Sequence, residues 1–112
     1  MAILSEEKTR QLLWTVTVNF DILDAKGRKI GVQYRVHKVE LVPAKPGALG
    51  GYVVKPGVYW VASFHGTRNG EIYGPLTRNI WADSQDGIEK AILRRITDSK
   101  ARALKKYGQK ES

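Results

Sequence analysis

The sequence contains no cysteine, and this absence excludes several kinds of site at once. Disulfide frameworks, zinc fingers, iron–sulfur ligation and thiol nucleophiles all depend on cysteine. Histidine is scarce as well, because His37 and His65 are the only two. Two histidines without a nearby pair of carboxylates do not make a metal site. We therefore predict neither a metal site nor a cofactor.

Long apolar runs are also missing. The opening segment, MAILSEEKTRQLLW, has only a short apolar run before Glu6 and Glu7, so it lacks the apolar region of a secretory signal. No segment approaches the roughly 18 consecutive apolar residues of a membrane span. We expect a cytoplasmic (intracellular) protein without a membrane segment.

Acidic residues are outnumbered by basic ones. Nineteen Lys and Arg face eleven Asp and Glu, which gives a net charge of +8. Such a balance favours a polyanionic partner or an anionic surface. The alternative is a basic protein whose charges are only solvated, since net charge alone does not identify a site.

Strict alternation of apolar and polar residues dominates the first third of the chain. From Leu12 to Ile22 every second residue is apolar, which is the pattern of a half-buried strand. The stretch DAKGRK predicts a turn at Gly27, and alternation resumes from Ile30 to Val36. The apolar positions then shift to Val39 and Leu41, which we interpret as a β-bulge or bend.

The remaining pattern predicts two more strands and a helix. A Pro- and Gly-rich loop occupies residues 42–57 and is followed by a third strand, a turn at Asn69-Gly70 and a fourth strand that runs to Ala82. Asp83 or Ser84 can cap a helix that ends near Gly108. We predict one α+β domain over residues 1–112, a four-stranded antiparallel sheet (β-β-β-β-α) with the C-terminal helix packed on one face. Its core spans about residues 10–107, and residues 1–9 and 108–112 are expected to fray.

The sheet face away from the helix is predicted to be open and to carry rings among polar groups. Trp60 and Phe64 belong to the core by alternation, whereas Tyr59, Tyr73 and Trp81 fall on the other face. Rings beside cations, amides and hydroxyls suit single-stranded nucleic acid, because bases stack on the rings. The alternatives are a dimer or partner interface and simple stabilisation of the sheet by cross-strand pairs. The predicted sheet-face site comprises Arg35, His37, Tyr59, His65, Tyr73, Asn79 and Trp81.

Basic residues at the turns and on the helix are predicted to contact phosphate. They are Lys26, Arg28, Lys29, Arg68, Arg94 and Arg95. For the helix, a solvated outer face is an equal alternative. Ser63 lies two residues from His65, but no third catalytic group accompanies them, and the glycines follow no phosphate-loop pattern. We predict no enzymatic activity and no small-molecule substrate.

Two resemblances point in the same direction. Residues 58–92, from VYWVASFHGTRNGEIYGPL to DGIEKAI, combine a strand tryptophan, a glycine turn and a helix with alanine. This combination resembles the three-strands-then-helix modules of the integrase arm-binding type, which implies reading of duplex DNA by a sheet. The order of four strands and a helix is similar to that of the Whirly and transcriptional-coactivator single-stranded DNA binders, which implies oligomers.

Three functional hypotheses follow from these patterns. The first is a small, basic, non-enzymatic protein that binds single-stranded DNA or RNA on the open sheet face. The second is a protein-interaction or structural subunit, as in a mobile element, that uses this face as a homodimer or partner interface. The third is a duplex DNA binder that places its sheet in the groove.

Overall fold

The computed structural model describes residues 4–45, 51–76 and 78–108. In chain order the elements are β1 Ser5–Leu23, β2 Lys29–Pro43, β3 Gly57–Arg68, β4 Glu71–Leu76, β5 Ile80–Ala82 and α1 Gln85–Tyr107. Neighbouring strands are antiparallel, in the order β1-β2-β3-β4, and β5 also pairs with β3. The α+β class, the antiparallel sheet and the single helix on one face are confirmed.

The predicted fourth strand is divided into two. β4 pairs with the end of β3 at Thr67 and Arg68, and β5 pairs further back, with Trp81 opposite Val61. Gly74 lies within β4 with a φ of 85°, and the register of β3 with β4 shifts between His65 and Thr67. The register of β3 with β4 does not continue into its register with β5. Simple alternation along residues 72–82 therefore does not tell which side chains lie on the helix face of the sheet and which on the opposite face.

The larger part of the core lies between the sheet and α1. Val36, Ala62 and Phe64 contact Ile88 and Ile92 of the helix, and all five side chains are buried. Towards the end of the helix, further buried residues continue the same layer: Phe20, Ile22, Ile30 and Val32. Ser84 caps the helix, since its side chain accepts a hydrogen bond from the Gly87 amide at 2.9 Å.

Another apolar cluster, which we call the second cluster, lies on the opposite face of the sheet. Val39, Leu41 and Val61 are buried there, on the side away from α1. The pairing of β2 with β3 runs from Ile30 to Leu41 without a register shift. The change of parity after Val36 is therefore not a bulge of β2; the register shift at this point lies in the paired strand β1, between Leu12 and Trp14. β2 stays regular, but its apolar residues change from the helix face at Val36 to the opposite face at Val39 and Leu41. The reason is that α1 covers one face of the sheet, whereas the aromatic side chains of the second cluster cover the other face.

Bulges occur in β1 instead. Its register with β2 shifts between Glu7 and Thr9, between Leu12 and Trp14, and between Asn19 and Ile22. The second shift places Leu12 opposite His37, and Leu12 is 52% exposed rather than part of the predicted core face. The strand begins at Ser5, before the core boundary predicted near residue 10, whereas residues 1–3 and 109–112 lie outside the described residues.

The long connection after β2 returns to the far side of β1. Ser5 and Tyr52 exchange two backbone hydrogen bonds, of 3.1 and 2.9 Å, while the Leu4 carbonyl accepts from Ala44 next to β2. Adjacent residues of a strand direct their backbone groups to opposite sides, so Tyr52 lies at the outer edge of β1. Its ring reaches Trp81, with centroids 5.0 Å apart. Tyr52 therefore covers the second cluster together with Tyr59 and Trp81.

Replacing Tyr52 by alanine is expected to open this cluster and to lower the free energy of unfolding by about 1 to 3 kcal/mol. The loss arises because Trp81 and the buried Val39, Leu41 and Val61 would lose a packed ring. Acrylamide quenching of tryptophan fluorescence should increase in the folded state, and urea denaturation measures the stability. Tyr52→Phe keeps the ring and serves as the control, so equal losses in both variants would contradict this role.

Across the described ranges, no helix combines the length and the apolar character needed to span a membrane.

Candidate nucleic-acid interface

The two hairpin tips lie side by side at one end of the molecule. The Lys29 amide donates to Asn69 Oδ1 at 2.9 Å, and the Asn69 amide donates to the Lys29 carbonyl at 2.8 Å. Asn69 has a φ of 53°, a conformation that asparagine tolerates better than most residues. These bonds hold Lys26, Arg28 and Lys29 of the first tip close to Arg68 of the second.

Asp24 organises the two arginines of this cluster. Its Oδ2 accepts from Arg28 Nε at 2.8 Å and from Arg68 Nε at 3.2 Å, while Oδ1 accepts from the amides of Lys26 and Arg28. Burial of the Asp24 carboxyl favours its neutral form, yet the donors around it hold its pKa below the ordinary value. Asp24 is a positioning residue, because one carboxylate aligns two guanidinium groups.

Tyr73 lies against both guanidinium groups. The Cζ atoms of Arg28 and Arg68 are each 4.8 Å from the centre of its ring, and Tyr73 is 50% exposed. Tyr73, and after it Asp24, raises the pKa of Arg28. The placement of Tyr73 beside Arg35 on the open face was wrong: its partner Arg68 pairs with Ile30, which belongs to the core beneath α1. The ring therefore lies at the hairpin tips, on the helix side.

The end of α1 reaches the same region. A surface depression is lined by residues 23–25 of the first hairpin and residues 104–108 of the helix end. Lys106 lowers the pKa of Tyr107, burial opposes this shift, and Arg68 adds to the lowering. We call this end of the molecule the basic pole. It comprises Lys26, Arg28, Lys29, Arg68, Lys105 and Lys106.

The sequence did not indicate that Lys105 and Lys106 lie near the hairpin tips. It also did not indicate that Asp24 binds both Arg28 and Arg68. A carboxylate four residues before Arg28 was the only available signal for Asp24. The direction in which the helix crosses the sheet places the lysines, and no local pattern encodes that direction.

The sheet face opposite the helix is polar along its middle. Arg35 is exposed there between Thr15 and Ser63, and His65 is half-buried beside Gln33. His37 is half-buried nearby, and burial, followed by the charges of Arg10 and Arg35, lowers its pKa. This lowering of the pKa favours the neutral form of the His37 ring. Asn79 is exposed immediately before β5.

Tyr59 and Trp81 lie on this face, but they are not an open platform. Both are half-buried in the second cluster, with ring centroids 6.1 Å apart, and Tyr52 lies against Trp81. The Tyr59 hydroxyl donates to the Lys55 carbonyl at 2.6 Å. The expectation of exposed rings fails here because a residue of the long loop covers them, which strand alternation could not predict.

The two helix arginines have different surroundings. Arg94 is exposed, and the guanidinium of Arg95 lies 5.4 Å from the centre of the Phe64 ring at the junction of helix and sheet. Arg95 and Arg102 also line a cavity of about 210 Å³ with Arg68. Arg95 therefore adjoins the basic pole through Arg68, whereas Arg94 is exposed on the helix without sharing this cavity.

Among the described residues, no three His, Asp or Glu side chains are grouped so that they could hold a metal ion. Comparisons with family models, with curated proteins and with solved structures gave no match. The resemblances to integrase arm-binding and Whirly-type modules therefore gain no support from these comparisons. The function must be argued from the geometry alone.

Proposed function

We propose that this chain is a small, non-enzymatic nucleic-acid-binding protein that holds phosphates at the basic pole and prefers single strands. The observation that carries the proposal is the convergence of six basic residues from three separate chain segments at one end of the molecule. Clustered Lys and Arg bind the nucleic-acid backbone by neutralising phosphates and releasing counterions.

The arginine pair supports phosphate binding more strongly than net charge does. Each of the two guanidinium groups uses Nε to reach Asp24, so Asp24 limits their freedom before any ligand arrives. A pre-positioned guanidinium loses less side-chain entropy on binding and can donate two hydrogen bonds to one phosphate. The negative charge of Asp24 offsets part of the positive charge of the two arginines. In exchange, it fixes the orientation in which their guanidinium groups can bind a phosphate.

The preference for single strands rests on planar groups at the pole. The exposed part of Tyr73 and the two guanidinium planes beside it offer stacking surfaces. Only bases that are not already stacked in a duplex can reach such surfaces. Arg35, His65 and Asn79 on the polar sheet face are available for the continuation of a bound strand.

The duplex alternative has support from the same pole, since Arg28, Lys29 and Arg68 would contact the phosphates of either form. The interface alternative was motivated by the rings of the sheet face. Tyr52 of the same chain covers Trp81 and its neighbour Tyr59, so we do not assign a partner to that face.

Fluorescence anisotropy of labelled oligonucleotides tests the proposal on the native protein. We expect saturable binding of a single strand, a weaker response to the matching duplex, and a logarithmic salt dependence with a slope of about −4, from six phosphate contacts at about −0.7 each. Unlabelled heparin should compete less well than the unlabelled single strand. Equal binding of duplex and single strand would support the duplex alternative. If heparin competes as well as the unlabelled single strand, the interaction is a non-specific attraction between opposite charges.

A further inference from the structure

The outer edge of β1 lacks the features that normally protect a sheet edge. Residues 12–20, LLWTVTVNF, contain no charged residue and no proline. Edge strands usually carry lysines, prolines or bulges that prevent pairing with another chain. Here the bulges lie at the two ends of the stretch, and the register from Trp14 to Asn19 is regular. In the described ranges, the Ser5 bridge to Tyr52 is the pairing on this side of β1, and it lies well before the stretch.

The flank of α1 above this edge is apolar as well. Leu93 is 66% exposed and lies beside Trp14 and Tyr34, with which it lines a groove of about 260 Å³. Further along, the exposed Leu104 lies beside the exposed Leu23 at the end of β1. The open backbone edge and the exposed leucines are therefore on the same side of the molecule.

A second copy of this chain fits that side better than any other occupant. A row of backbone donors and acceptors at strand spacing matches the row on another strand, and antiparallel pairing of a strand with itself closes by a two-fold axis. In an antiparallel pair, directly opposed residues lie on the same face of the sheet. When a strand pairs with its own copy, this holds only if one residue opposes itself, so the two-fold axis passes between that residue and its copy. With Thr17 on the axis, Val16 opposes Val18, and with Val16 on the axis, Trp14 opposes Val18 and Thr15 opposes Thr17. Neither register opposes like charges.

We infer that the protein forms a two-fold dimer in which residues 14–19 of β1 pair antiparallel with the same residues of a second copy. The sheet then continues across the dimer, and Leu93 with its neighbours packs against the other copy near the axis. The hairpin tips of the basic poles lie away from the axis, because they follow Leu23 in the chain and the paired residues are 14–19. The inference is independent of nucleic-acid binding and is tested without nucleic acid.

Cysteine cross-linking gives a direct test, since the native chain has none. Val16→Cys and Thr17→Cys each place a thiol on one of the two possible axes, where antiparallel Cα atoms approach to within about 4.5 to 5.5 Å. That separation allows a disulfide. One of the two variants is expected to form a covalent dimer under mild oxidation. Ile72→Cys, at an equally accessible position on β4, is the control and should stay monomeric.

Charge substitution gives a second test. Thr17→Lys and Leu93→Glu place like charges near the axis and should weaken dimerisation by about tenfold or more, as measured by sedimentation equilibrium. Ile72→Glu, a comparable change of an exposed residue on β4, should leave it unchanged. Circular dichroism melting verifies that each variant folds. A native protein that is monomeric at all concentrations, cross-linking at neither axis position, or cross-linking at Ile72 to the same extent would overturn the inference.

Discussion

Gly31→Ala is expected to lower the free energy of unfolding by about 3 kcal/mol or more. A Cβ at this position would overlap the Val18 carbonyl oxygen and lie 2.9 Å from Thr67 Oγ1. No carbon atom tolerates the overlap with a backbone oxygen, so the backbone of β1 or β2 must move. Folded domains are stable by only about 5 to 15 kcal/mol, and a loss of this size is a large part of the total.

The cause is local crowding rather than backbone conformation. Gly31 is buried in β2, opposite Asn19, next to the bulge in which Asp21 has a φ of 59°. The Val18 carbonyl of β1 lies against Gly31, and a side chain at Gly31 would push the two strands apart. Since Ile30 and Val32 on either side belong to the core, the strain would extend to the packing under α1.

Gly27→Ala is the matched control for this prediction. Gly27 has a φ of 78°, but a Cβ there would meet no atom within 4 Å. It should cost only about 1 kcal/mol, the usual penalty for a side chain in a left-handed conformation. Urea denaturation of both variants measures the difference. A smaller loss for Gly31→Ala than for Gly27→Ala would show that the strands at this point adjust easily.

Much of the fold could be predicted because its signals are local. Alternation from Trp14 to Ile22 places side chains on two faces, Gly27 and Asn69-Gly70 mark the tight turns, and Ser84 marks the start of α1. Each of these depends on residues that are close in sequence. The class and the order of the elements follow from them.

The face assignments were less predictable, because they depend on what covers each face. Val39 and Leu41 are buried on the side away from the helix, where Tyr52, which reaches across from the outer edge of β1, packs with Tyr59 and Trp81. That contact joins residues far apart in the chain, within a loop whose composition suggested only irregular structure. The same contact explains why Trp81 is covered.

The candidate site was predicted in its parts but not in its assembly. Lys26, Arg28, Lys29 and Arg68 were identified from their positions at turns. Their neighbours Asp24 and Tyr73 are brought to them by the contact between the two hairpins and by the irregular register of β4. Turn chemistry predicts that a cation is exposed, whereas its partners depend on tertiary structure.

Removing four charges from the basic pole is expected to weaken single-strand binding by about 10² to 10³-fold at 0.1 M salt. The variant replaces Lys26, Lys29, Lys105 and Lys106 by glutamine and keeps both arginines, so that the Asp24 contacts persist. All four side chains are exposed, and the fold should be retained. Each lost phosphate contact reduces the slope of log affinity against log salt by about 0.7, or about 3 in total.

A second fourfold variant separates position from net charge. Replacing Lys8, Lys38, Lys45 and Lys55 by glutamine lowers the net charge by the same amount, from +8 to +4, but these residues lie towards the opposite end of the sheet. If the pole binds phosphate, this control should lose no more than about threefold in affinity, through the general field of the protein. Equal losses in the two variants would mean that binding follows total charge, and the pole would then have no special role. Full affinity in the pole variant would instead direct attention to Arg35 on the polar sheet face and to Arg94 and Arg95 on the helix.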